Sequence, residues 1–122
     1  MRNGESYLQH NLCRILLLAR ETGDYRIVYY ENDSTDSTRA VLHQFESLDS
    51  RISGVQDDTG KRDSHEMCSA DEYNCNQRTR LLSRMRQKVL ELMLSWAECQ
   101  FMMMLDLDFV DFSNDGFWTL YQ

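Results

Sequence analysis

Apolar residues at Leu8, Leu12, Ile15, Leu16 and Ala19 recur at helical spacing from Glu5 to Arg20, and Gly23 follows as a stop, which predicts a first helix. Arg26-Ile27-Val28-Tyr29-Tyr30 is a β-branched and aromatic run, the composition of a strand. It gives way to Glu31-Asn32-Asp33-Ser34-Thr35-Asp36-Ser37-Thr38, a stretch of caps and turn formers. Val41, Phe45 and Leu48 then repeat at i, i+4, i+7, so a helix is predicted from near Ser37 to about Glu46. A second strand with poor alternation is placed at Arg51 to Gln56. Residues 57 to 77 are polar and read as an irregular loop of unusual length.

A long helix is predicted from about Arg78 to Ala97. Leu82, Met85, Val89, Leu92 and Trp96 form its buried stripe, while Arg80, Arg84 and Lys88 line another face. Phe101-Met102-Met103-Met104-Leu105 has no polar break and suits a buried central strand, with Asp106-Leu107-Asp108 at its carboxyl end. The alternation of strands and helices predicts an α/β layered sheet. No repeat, low-complexity segment or proline interrupts it.

Size and charge narrow the functional classes. At 122 residues the chain holds one domain, short for an enzyme that binds two substrates. Twenty acidic against thirteen basic residues give a net charge of −7, which argues against general nucleic-acid binding. A bound nucleotide stays compatible with it, because carboxylates can seat a divalent cation that holds a diphosphate. No run approaches the roughly 18 apolar residues of a membrane span, and the polar start Met1 to Glu5 lacks a signal-peptide core.

Four cysteines are too few for a disulfide scaffold. Cys13 and Cys99 fall in apolar-periodic stretches and read as small core residues. Cys68 and Cys75 share a polar loop and would pair in an oxidising compartment. With His65 they match no standard zinc spacing. His10 and His43 have no partner pattern.

Three constellations carry candidate chemistry. The first is the turn after the Ile27–Tyr30 strand, where Glu31, Asp33 and Asp36 with the hydroxyls of Ser34 and Thr35 would meet a base or ribose; ligands in α/β sheets bind at such strand ends. The plainer account is that Ser34, Asp36 and Ser37 cap a helix. The second is Asp106-x-Asp108, a seat for Mg²⁺ or Mn²⁺ that a diphosphate would complete, or a solvated strand end. Asp111 is either a third carboxylate or a surface group. The third is the basic helix face, where Arg80 and Arg84 would approach phosphates or simply face solvent.

Taken together, Tyr29-Tyr30-Glu31-Asn32-Asp33-Ser34-Thr35-Asp36-Ser37-Thr38 and the later Asp106-Leu107-Asp108 resemble the strand-and-turn and D-x-D motifs of GT-A glycosyltransferases. The E-N-D-S-T-D form looks closest to the fungal α-1,3-mannosyltransferase group related to capsule synthesis. The resemblance implies a Rossmann-like GT-A nucleotide-sugar-binding sheet flanked by helices, with residues 1–122 as a single partial domain, incomplete at both ends. It implies that Glu31, Asn32, Asp33, Asp36, Arg80, Arg84 and Asp106 bind a GDP- or UDP-sugar. Asp106 and Asp108 would hold Mn²⁺ or Mg²⁺.

A glycosyl group, mannose among the candidates, would pass to a glycan or protein acceptor. The implied setting is the Golgi or secretory lumen if an upstream anchor was lost, and the cytoplasm otherwise. The turn reads Glu31-Asn32-Asp33 where the family has Asp-Asp-Gly, and no residue here matches a catalytic base. Two rivals stay open. A haloacid-dehalogenase-type phosphatase would use Asp106 as nucleophile and Asp108 as general acid, with Val110 completing its motif. A calcium module would use Asp111 to Gly116 as the first half of an EF-hand loop.

Overall fold

The computed structural model describes residues 1, 3–58, 72–96 and 98–107, with the backbone alone for 72–78. Helix α1 spans Glu5–Glu21, strand β1 Ile27–Asn32, helix α2 Thr38–Leu48, strand β2 Ile52–Asp57 and helix α3 Glu72–Leu94. β1 and β2 pair in parallel, Ile27 opposite Ile52 through to Asn32 opposite Asp57. Parallel neighbours need a crossover, and α2 supplies it. The α/β character expected from the alternation is therefore present, in a small sheet of two strands among the described residues.

Adjacent strand residues face opposite sides of a sheet, and Tyr29 and Tyr30 show where each layer lies. Tyr29 joins Leu8 and Leu12 of α1, Leu42 and Phe45 of α2 and Ile52 of β2 in the core, and its hydroxyl donates to Glu46 of α2 at 2.8 Å. Burial, with the neighbouring carboxylates, pushes that phenol up to about 12. Tyr30 turns the other way, where Lys88 of α3 lies 5.5 Å from its ring. Hence α1 and α2 cover one face of the sheet and α3 the other. Gly54, opposite Tyr29 in the ladder, leaves room for its strand partner: a Cβ there would stand 2.5 Å from the Tyr29 carbonyl oxygen.

Several expectations are corrected. β1 runs on to Asn32 instead of ending at Tyr30, because parallel pairing with Gln56 and Asp57 carries the ladder through residues whose side chains suit a turn. α3 starts at Glu72 instead of Arg78 and stops at Leu94 instead of Ala97, so the long loop is shorter than its polarity implied. On α3 Met85 is buried, yet Leu82 and Leu92 are exposed, and Trp96 is partly covered, with Arg26 over its ring. Cys13 and Cys99 are exposed thiols, not core residues.

The largest difference is Phe101–Leu105, which is neither strand nor core; its residues are 44% to 75% exposed. An apolar run becomes a strand only where a neighbour offers it a ladder. The carboxyl-terminal part of β1's outer edge is already engaged. The Met1 ammonium donates to the Tyr30 carbonyl at 2.6 Å, and the Asn32 N–H donates to the Met1 carbonyl at 3.1 Å. Among the described residues no helix is long and apolar enough to cross a membrane.

Candidate functional site

Because β1 and β2 are parallel and in register, their carboxyl ends, Asn32 and Asp57, lie side by side. The Asp33 N–H donates to the Asp57 carbonyl at 3.2 Å, and Asp33 takes φ 53°, a left-handed conformation that Asp tolerates better than most residues. The chain thereby leaves the strand sharply and enters α2 five residues on, at Thr38.

The turn is locked to the start of α1 by reciprocal hydrogen bonds. The Asn3 N–H donates to Ser34 Oγ (2.9 Å), the Gly4 N–H to Thr38 Oγ1 (2.8 Å) and the Glu5 N–H to Asp36 Oδ2 (3.2 Å). In return Thr35 N–H donates to Asn3 Oδ1 (2.9 Å) and Ser37 N–H to Glu5 Oε2 (3.2 Å). Asp36 Oδ1 also accepts the Thr38 N–H at 3.0 Å, so Asp36, and not Ser37, caps α2. Burial alone would raise the Asp36 carboxyl, but these donors outweigh it and hold it below the usual carboxylate range. The capping expectation for Asp36 is met, and one side chain serves two helix starts.

Glu31 is fully buried. Its carboxylate accepts the Ser34 N–H at 2.8 Å and an Nε–H bond from Arg39. The same guanidinium reaches Asp58 and the Asp57 carbonyl, so Arg39 staples the two strand ends together. Asn32 and Asp33 are largely buried too, with Asn32 Nδ2 donating to Asp33 Oδ2 at 3.3 Å. Asp57 receives the Lys88 ammonium and the Tyr30 hydroxyl, each at 2.7 Å, and these hold its carboxyl below the usual range.

Of the two D-x-D aspartates, Asp106 is described: it is exposed and accepts a bond from Arg86 at 2.9 Å. Leu107 folds back onto the core, its carbonyl accepting from Asn11 Nδ2 at 3.4 Å. Asp108 lies outside the described residues. So do Val110 and Asp111 to Gly116 of the rival readings, His65 and Cys68, and the side chain of Cys75. Arg80 and Arg84 are exposed. His43, without an expected partner, meets Glu46 at 3.1 Å and Gln56 at 3.2 Å.

The structure thus brings Glu31, Asn32, Asp33 and Asp36 together at one end of the sheet, and it is Arg86 that meets Asp106. Arg39, Asp57 and Asp58 join them there, although no motif in the sequence marks them. Arg39 carried a signal: a cation in the first turn of a helix opposes the helix dipole, so its presence there implies a carboxylate partner. The described carboxylates do not assemble a metal seat, since no three His, Cys, Asp or Glu residues converge among the described residues and Asp106 faces a guanidinium. Compared with protein-family models, curated proteins and solved structures, the chain matches none.

Proposed function

We propose that this chain is the nucleotide-sugar-binding part of a GT-A-like glycosyltransferase, taking a nucleoside-diphosphate sugar at the carboxyl ends of β1 and β2. The observation that carries the reading is the meeting of the α1 and α2 N-termini at the end of two parallel strands, beside the acidic Glu31–Thr38 turn. Strand carboxyl ends, where the chain turns into the next helix, are where α/β sheets hold nucleotides. In this arrangement Glu31 organises the site from beneath through Arg39. Asp33 at the turn and the exposed Asp58 at the rim are the groups placed to accept from base or ribose.

The further parts of the reading rest on the sequence resemblance: Mn²⁺ or Mg²⁺ on Asp106 and Asp108, and transfer of a glycosyl group to a glycan or protein acceptor. The described carboxylates do not by themselves make that cation seat.

Calorimetric titration of GDP, UDP and their sugars, with and without Mn²⁺, tests the proposal. Binding of a sugar nucleotide that is lost in Asp33→Ala and weakened in Asp58→Ala supports it. Absence of binding to every sugar nucleotide, or binding indifferent to both substitutions, would sink it.

A further inference from the structure

Residues 101–105, Phe-Met-Met-Met-Leu, form an apolar run in which every member is 44% to 75% exposed. The run is tied at both ends. Trp96 lies before it with the Arg26 guanidinium over its ring, and Leu107 after it packs on the core with its carbonyl on Asn11. With all five members open to solvent, the run has no buried face. A groove or a partner strand covers one face of a segment, whereas a surrounding apolar medium covers every face. The charge beside the run is one-sided too. Residues 78–107 hold five basic and three acidic residues, in a chain whose net charge is −7. Arg80 and Arg84 are exposed, neighbours at i, i+4 on α3, and Arg86 joins α3 to the end of the run through Asp106 at 2.9 Å.

We propose that this strap docks the protein on an anionic lipid surface, residues 101–105 entering the boundary between headgroups and acyl chains while Arg80 and Arg84 meet the headgroups. Apolar side chains gain by leaving water, and arginines gain in the negative potential of such a surface. Together these hold a protein on a membrane without a spanning helix. The rest of the chain is strongly acidic, so the same surface repels every other face and docking has one orientation. A second copy of the chain fits the strap less well, because two copies meeting symmetrically here would set like charges against each other. The inference stands on the exposed run and on α3, apart from the nucleotide-sugar reading, which uses the carboxyl end of the sheet.

The test is flotation of the full chain with vesicles of phosphatidylcholine alone and of phosphatidylcholine mixed with phosphatidylserine. Wild type is expected to float with the anionic vesicles and not with the neutral ones, and to float less as salt rises. Arg84→Gln should weaken anionic binding about five-fold, and Arg80→Gln added to it about as much again. Arg20→Gln, the same change in the last turn of α1, should leave binding unmoved. Phe101→Ser with Met103→Ser should weaken it about ten-fold or more. All these positions are exposed, and thermal midpoints check that each variant is folded. Wild type that stays with neither vesicle, equal binding to both, or an effect of Arg20→Gln as large as that of Arg84→Gln overturns the proposal. So does a wild-type dimer in sedimentation equilibrium that Phe101→Ser with Met103→Ser turns into monomer, because a second copy then covers the strap.

Discussion

Glu31 lies in the stretch whose sequence points to ligand contact, yet its carboxylate turns inward, and Arg39 completes its shell. A buried carboxylate that loses a paired cation keeps the desolvation cost without that compensation. Arg39→Ala is therefore expected to lower the thermal unfolding midpoint by several degrees, and Glu31→Gln added to it should recover part of the loss. Equal midpoints for the single and double variants would mean that the pair is not coupled. Gly54 makes a sharper case. A methyl group there runs into backbone at Tyr29, which cannot move without shifting the parallel ladder, so Gly54→Ala should cost about 1–3 kcal/mol in urea unfolding.

Among the elements, α1 and α2 are joined at their starts by Asp36, and β2 is joined to α3 through Asp57 and Lys88. Both aspartates have folded-state carboxyls lowered below the ordinary value of about 3.9. A lowered folded pKa contributes stability that is fully present above the unfolded value and is lost as pH falls through the folded one. The urea midpoint should hold down to about pH 5 and fall below about pH 4. Asp36→Ala should cost about 1 kcal/mol at pH 7, as for a lost cap, and should make the fall in acid shallower. An acid limb as steep in Asp36→Ala as in wild type would exclude Asp36 as a contributor. The exposed Phe101–Leu105 run belongs to this scale as well. Its apolarity is ample for a strand, but an element also needs a neighbouring ladder, and the end of β1's outer edge is spent on Met1.

For the whole molecule, net charge is a poor guide to ligand preference. The chain carries −7 overall, but at the sheet's carboxyl end Glu31 and Asp58 share Arg39 and Asp57 takes Lys88. A ligand that binds only the folded state raises stability in proportion to the logarithm of its concentration; at a hundred times Kd the gain is about 2.7 kcal/mol. The melting temperature should accordingly rise with GDP- or UDP-sugar and not with the sugar alone. A flat response across the sugar nucleotides would count against the proposed ligand class.

The amino-acid sequence by itself determined α1, β1, α2 and the turn between β1 and α2. Those elements follow from local periodicity and turn chemistry, which act within a few residues: Leu8 and Leu12 share a face because of helical spacing, and Asp36 caps because it precedes Thr38. β2 was legible only faintly, because Ile52–Asp57 lacks alternation and owes its form to pairing with β1. Tertiary structure alone decided which way each long side chain turned. Arg80, Arg84 and Lys88 share a helix face in the sequence, but Lys88 reaches a strand-end carboxylate and Arg86, off that stripe, reaches Asp106. Glu31 went inward and Cys13 and Cys99 outward for the same reason. Burial and charge pairing depend on what the rest of the chain brings near, and that distance is not written in sequence spacing.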